Sequence, residues 1–523
     1  MKRGTWTSFA LAVAALLVGA PPAEAGKAKD TLVWTTDRDV DTADPYYNNI
    51  REIVILGRLV FDSLLERDPK TGNYVPLLAK SFKWIDNRTM EFELREDVVF
   101  HNGKKFDADD VVYTYNHVAN PGSGVLTRAN VDWIKSAEKL GPHKVRVHLS
   151  RDFPAALEYL SGPTPILPKG HYDKAPLRTK VDPKDKGAKP VQMKDYGAVT
   201  PVGTGPYKIT KFTPGQSFEM ALNKSYFAGS PKGKPKIGKL VFRTIKDKET
   251  QVAELLTGGV DWIWDVSKDK AENLRKLPQL TVLEAPTMRV SYLVFDAAGK
   301  GGKTPFQDER VRQAVAYAVN KDAIAKNLVG SGAPVVHSAC YPTQFGCTQD
   351  VRKYEYSPDK AKKLLADAGF AGGLTVDFYG YRERPYTEAV IGDLQKIGIK
   401  ANLKWLQYKA LREKNWDGSA QFSHLTWGSY SVNDASAIVS HFFKHDKDDM
   451  SHDPEVKKLL DIADNSTDPE VRKANYKKAL QMIAEKAYWV PLFAYTKFYA
   501  YTKDLDFTPS EDEIPRFYLA KWK

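Results

Sequence analysis

No single hydrophobic core serves a chain this long. One core stops growing at roughly 250–300 residues, and this chain has 523. It must fold as more than one packed unit. At 42% hydrophobic and 27% charged residues it is globular, neither disordered nor fibrous. Two cysteines exclude a disulfide scaffold, an iron–sulfur protein and a multi-cysteine zinc module.

The first 25 residues read as a secretory signal peptide, not as part of the fold. Lys2 and Arg3 form a basic start, Phe9 to Ala20 is a 12-residue apolar run, and Ala23-Glu24-Ala25 is a small-x-small cleavage signal. The mature chain is expected to begin at Gly26. A membrane span needs about 20 apolar residues, and no later segment approaches that. With no cysteine near the cleavage site, a lipid anchor is not expected. The expectation is an exported, soluble, periplasmic protein.

Export bears on two further features. The formal charge is +12, or +11 once residues 1–25 are removed. These charges are interleaved with acids and densest in the loop-like Lys169–Lys194 stretch, with no nucleic-acid motif beside them. They read as a solvated surface, so no nucleic-acid partner is expected. Cys340 and Cys347 stand seven apart in ACYPTQFGC. An oxidising compartment favours a local structural disulfide over two free thiols, and the spacing fits neither a redox nor a haem motif.

Short strands alternate with well-capped helices, which argues an α/β fold with more than one sheet. Thr89–Arg95, Lys144–Leu149 and Ser217–Leu222 alternate with period two, and Lys239–Arg243 is β-rich. Arg310 to Leu328 carries an apolar face at helical spacing. Ser357-Pro358, Asp453-Pro454 and Asp468-Pro469 read as helix starts with a cap and a first-turn proline. The first of these helices is expected to stop at Gly369. Thr387–Ile397 predicts a helix stopped by Gly398, then a strand at Ile399–Leu403.

Catalytic motifs are absent. There is no Gly-x-Ser-x-Gly elbow. Gly203-Thr204-Gly205-Pro206 lacks the third glycine of a dinucleotide fingerprint. Gly302-Lys303-Thr304 lacks the first glycine of a phosphate loop and is followed by Pro305. His441 and His445 have the i, i+4 spacing of a metal pair but no zincin glutamate, and read as a solvated turn. Asp107, Asp109 and Asp110 precede an apolar helical pattern, where acids oppose the macrodipole favourably. No catalytic residue, metal or cofactor is assigned.

Seven motifs in order then carry a resemblance along nearly the whole mature chain. They are Leu59-Val60-Phe61-Asp62-Ser63-Leu64-Leu65 with Pro76-Leu77-Leu78-Ala79, Phe92–Val112, Val202–Tyr207 (VGTGPY), Gly259-Val260-Asp261, Phe306–Val319, and Tyr356–Ala361. The sequence resembles the bacterial extracellular solute-binding proteins of family 5, which serve ABC importers for peptides, nickel chelates and related solutes. The resemblance implies a periplasmic-binding-protein-like type II fold (cluster C type): two lobes with a hinge, plus an extra third domain. The implied layout is residues 26–66, 195–288 and 497–523 for lobe I, residues 67–194 for the extra domain and residues 289–496 for lobe II. Ligand would favour the closed form by touching both lobes.

Ligands of open α/β sheets meet the loops beyond the carboxyl ends of strands. One such loop follows Leu374–Phe378 and offers Tyr381, Arg382 and Arg384. The other follows Gln421–Thr426 and offers Trp427 as a flat wall, Gly428 for close approach, and Ser429, Tyr430, Asn433 and Asp434 as hydrogen-bonding groups. Tyr46, in an Asp-Pro-Tyr segment similar to the family's, is the candidate from lobe I. Peptide-binding members carry an aspartate about three residues after this tryptophan, for the peptide's amino group. Here Tyr430 stands there and Asp434 is the first acid. Either Asp434 takes the role, or the ligand has no free amino end.

The expected function is that of a monomeric ABC-importer receptor. It would capture a small peptide or peptide-like solute and deliver it to a membrane permease without covalent chemistry. A metal chelate or opine-like ligand is the alternative. A secreted hydrolase using Asp434 or the His441/His445 pair is the rival from another class.

Overall fold

The computed structural model describes residues 25–523 except 49, 70, 181–190 and 331. Residues 1–24, hence the leader apart from Ala25, lie outside the described residues, as does the middle of the basic Lys169–Lys194 stretch. None of the described helices is long and apolar enough to cross a membrane.

A ten-stranded mixed sheet runs through the molecule. Its order is Tyr207–Thr213, Ser217–Leu222, Lys239–Thr244, Thr31–Thr36, Trp262–Trp264, Trp489–Thr502, Leu280–Phe295, Phe422–Trp427, Leu374–Gly380, Ile399–Trp405. The two central strands are far longer than their neighbours, at 14 and 16 residues. One end of the pair meets Trp262–Trp264 through Tyr499–Tyr501; the other meets Phe422–Trp427 through Val290–Phe295. Between those ends the ladder breaks register, from Pro286↔Thr496 to Val290↔Ala494, and again at Ser291/Tyr292 opposite Phe493 and Pro491. Proline cannot donate to a ladder, so bulges collect there.

The buried clusters change identity across this break. Ala285, Tyr499 and Tyr501 pack with the core of Leu32, Trp34 and Phe242, while Met288, Val290 and Ala494 pack with that of Trp427, Tyr476 and Trp489. A third cluster lies under the Glu309–Ala318 helix. A separate antiparallel sheet is ordered Ala79–Asp86, Thr89–Leu94, Lys144–Leu149, Ile134–Gly141, against the Ala108–Ala119 helix. It shares a continuous core with the first half of the large sheet, because Leu64, Leu65, Leu77 and Leu78 belong to both.

Local expectations largely hold. Lys144–Leu149 and Ser217–Leu222 are strands at the expected bounds. Asp107 caps its helix in a reciprocal box with Asp110, and Asp453 and Asp468 cap theirs. Two differ. Arg310–Leu328 is not one helix: it ends at Ala318, and Asn320 caps a new turn by accepting from Ala323 N–H. Ser357 precedes its helix without a side-chain cap bond. The loop-like stretch contains two paired strands, Leu177–Lys180 and Val191–Lys194. Cys340 and Cys347 form a disulfide, Cα to Cα 5.8 Å.

Candidate functional site

The Phe422–Trp427 strand delivers its last residue to the register break, and the chain there turns the unusual way. Ser429, Tyr430 and Ser431 have φ of +50°, +51° and +63°. Side-chain-bearing residues pay roughly 1–3 kcal/mol each for such a conformation, which persists only when its surroundings impose it. The surroundings are visible. Ser431 and Val432 N–H bond Gly428 and Ser429 O, and Gln344 donates to Val432 O at 3.0 Å. From two other helices, Arg51–Val60 and Ala156–Tyr159, Arg51 donates to Ser431 Oγ, and Glu158 accepts from Asn433 N–H at 2.9 Å.

The turn holds Tyr430 outward, 57% exposed, with its ring edge-on to Trp427 at 4.7 Å. Trp427 is 9% exposed; its indole N–H donates to Ala437 O at 2.9 Å, and it stacks on His441 at 4.7 Å and 14°. Ser429 is buried with an unpartnered hydroxyl.

Beneath this wall lies a knot of charge. Arg289, just past the break, packs so closely on Gly428 that a Cβ there would lie 3.0 Å from its guanidinium. Gly428 thus admits a close neighbour, and that neighbour is Arg289. Its bonds are long: Thr426 Oγ1 at 3.4 Å and Glu513 at 3.5 Å, with Nε buried and unpartnered. Glu513, itself at φ +60°, also meets Arg51 at 2.9 Å and Lys497 at 3.5 Å. Burial alone would raise its pKa, but Lys497, Arg289, Arg51 and Arg382 draw it down to about 2. Arg382 pairs with Glu383 at 3.0 Å and lies over Tyr495.

Tyr381 links to the knot through Thr426, hydroxyl to hydroxyl at 3.0 Å, and its ring lies 4.9 Å from Tyr408. Thr426 and Tyr408 also line a narrow cavity running inward past Tyr292, Leu425, Phe442 and Trp489 to Arg412 and Asp448. Asp448 is held well below the usual carboxylate range. Burial opposes this, but Arg412 and Trp416 hydrogen-bond it, and His441 Nε2 lies 3.3 Å away.

Trp427, Gly428, Ser429, Tyr430, Tyr381 and Arg382 are therefore brought together. Three candidates are not. Tyr46 is a core residue, 3% exposed, its hydroxyl spent on Pro165 O at 2.7 Å. Arg384 opens the Arg384–Gln395 helix and pairs with Glu388 on its exposed face. The strand ahead of it runs to Gly380, which shortens the loop. Asp434 is 2% exposed, paired with Arg472 at 2.9 Å and capping Ser436. Asn433 meets Glu158 through its main chain. His441 and His445 do not share a helix, since Val439–Phe442 ends between them. No group of three metal-ligating side chains occurs among the described residues.

Sequence reading missed Arg51, Arg289, Lys497 and Glu513. Arg289 had one signal: a lone cation opening the apolar run Val290–Phe295. Glu513, in a polar tail segment, had none.

The profile of the bacterial extracellular solute-binding proteins, family 5 (its middle region), matches residues 73–449. The chain is 25% identical to heme-binding protein A of Haemophilus influenzae, over 83% of this chain and 81% of that protein. It is 27% identical to the dipeptide-binding protein of Escherichia coli, over 70% of each. The crystal structure of NikA from Brucella suis in complex with Fe(III)-EDTA superposes with a TM-score of 0.79, covering 94% of this chain and all of that one at 22% identity. With more than half its length matched by one profile, and with the fold to go with it, the chain belongs to the bacterial extracellular solute-binding proteins of family 5.

Proposed function

We propose that this protein is the periplasmic receptor of an ABC importer, a monomer that closes around a carboxylate-bearing peptide or peptide-like solute and hands it to the membrane permease. The observation that carries the ligand class is Arg289: a half-buried guanidinium at the register break whose Nε is buried without a partner and whose bonds are long. A carboxylate is the group a guanidinium pairs with best. Trp427, Tyr430 and Tyr381 flank it and give the pocket apolar faces beside the charge. The dipeptide-binding relative supports the peptide reading.

The bending zone in this reading is the break at Pro286–Val290 and Ala494–Thr496. It divides residues 26–66, 195–288 and 497–523 from residues 289–496, with residues 67–194 as an added domain. Binding without turnover follows from the same groups, since the acid a hydrolase would use, Asp434, is committed to Arg472. That commitment also favours a second reading, an opine-like or metal-chelate ligand, because Asp434 is not free to meet a peptide's amino group.

Thermal shift against dipeptides, N-acetylated dipeptides and metal–EDTA chelates separates the readings. A ligand at about 100 times its Kd adds about 2.7 kcal/mol. Peptides with a free amino end should stabilise the protein; stabilisation by acetylated peptides or chelates alone selects the second reading. Stabilisation by the same ligand undiminished in Trp427→Ala would remove the proposed site.

A further inference from the structure

The Gly259-Val260-Asp261 motif plays no part in the binding site. Asp261 directly precedes the Trp262–Trp264 strand of the large sheet, 4% exposed, beside the small cluster that includes Val33, Val260, Ile263 and Phe498. Its carboxylate accepts from Val33 N–H at 2.8 Å, and the main chain of Gly26 lies close enough to act on it as well. Its own main chain is used too, its N–H donating to Val33 O and its O accepting from Thr502 N–H. No charged side chain is among the groups that act on it. Burial therefore dominates and pushes its pKa up to about 7, against the two main-chain groups that pull it down. Buried carboxylates normally have a cation.

Gly26 lies against this carboxylate. Its nitrogen already donates to Thr31 O at 2.8 Å, its carbonyl accepts from Lys29 and Thr31 N–H, and the space on its Cα faces Asp261 Oδ1. Gly26 is also the residue directly after Ala23-Glu24-Ala25. As long as Ala25 is attached, that nitrogen is an amide with one proton. Hydrolysis of the Ala25–Gly26 bond adds water: the hydroxyl goes to the Ala25 carboxylate, and the new amine takes up a proton. The resulting ammonium has three protons, enough for Thr31 O, Asp261 and solvent.

We propose that Asp261 is a receptor for the chain's own processed end: cleavage after Ala25 frees the Gly26 ammonium, which pairs with Asp261 and fastens the Thr31–Thr36 strand into the sheet. The inference rests on the leader reading and is independent of the ligand. The precursor lacks this pair, so its first central strand is held less firmly until the leader is removed. Export and completion of the fold are thereby coupled.

The test compares exported protein, its amino end first identified by mass spectrometry, with the same chain carrying Met-Ala ahead of Gly26. A start elsewhere than Gly26 overturns the proposal. Given a Gly26 start, the Gly26 amine should acylate about tenfold more slowly at pH 7 than an unpaired terminal amine, the effect of about one pKa unit. Asp261→Asn should restore the ordinary rate. The extended chain should melt lower by about 2 °C, and this difference should vanish in the Asp261→Asn background. Equal labelling rates with and without Asp261 overturn it. If Asp261→Asn does not fold, the labelling rate of the unaltered chain against a Gly26-starting peptide decides alone.

Discussion

Two buried acids stand near the register break, and they are held differently. Asp434 has one cation, Arg472, from its own half of the molecule, and uses its other bonds to cap Ser436. Glu513 has several, drawn from both sides: Arg51 from the helix beginning at residue 51, Arg289 and Lys497 from the two long strands. A one-to-one buried pair fixes a loop within one body. A carboxylate shared among cations on different elements ties those elements to one another. The comparison therefore assigns Asp434 to the local architecture of its loop and Glu513 to the joining of one helix with the two long strands.

The largest expected effect breaks the first arrangement. Arg472→Ala leaves Asp434 buried and unpaired, at a cost of about 3–5 kcal/mol, measured by urea unfolding. A loss below about 1 kcal/mol contradicts the architectural role. Next comes the second knot. Arg289→Ala should weaken binding of a carboxylate ligand by about 10- to 100-fold, the range for a hydrogen bond to a charged group, while unfolding changes much less than in Arg472→Ala. Calorimetric titration checks the first part, and equal affinities sink it.

A pH experiment sharpens the contrast. Glu513 is held at about 2, against an ordinary value of about 4.3. Its contribution is present in full above pH 4.3 and is lost as pH falls toward 2, because the unfolded chain takes up the proton first. Glu513→Gln should flatten stability across that window, and a slope unchanged from the parent chain contradicts the assignment. The smallest effect is the control. Arg384→Ala removes only an exposed helix pair, so stability should change by no more than about 0.5 kcal/mol and affinity not at all.

The legible part of this molecule is the part written in local patterns. Alternation marked Lys144–Leu149, and Asp-Pro starts marked two helices, because capping and pleating act between residues close in sequence. Trp427 was legible as a strand-end residue beside a glycine, and the Phe422–Trp427 strand does end there. The knot was not, since Glu513 and Arg289 are over two hundred residues apart and meet only through the pairing of the two long strands. Tyr46 and Asp434 misled for a related reason. A polar group at a family-like position looks available until its partner, Pro165 or Arg472, is brought to it from elsewhere in the chain.

The same pair of strands decides what can be separated. Leu280–Phe295 and Trp489–Thr502 each begin among one set of neighbours and finish among another. A fragment cut at their midpoint would carry half of each ladder and expose a raw edge on both sides. Neither half is thus a portable module. A recombination event that exchanged either side for a cousin's would have to rejoin both long strands within their shared ladder, so diversification in such a chain is confined to what can be changed without disturbing those strands.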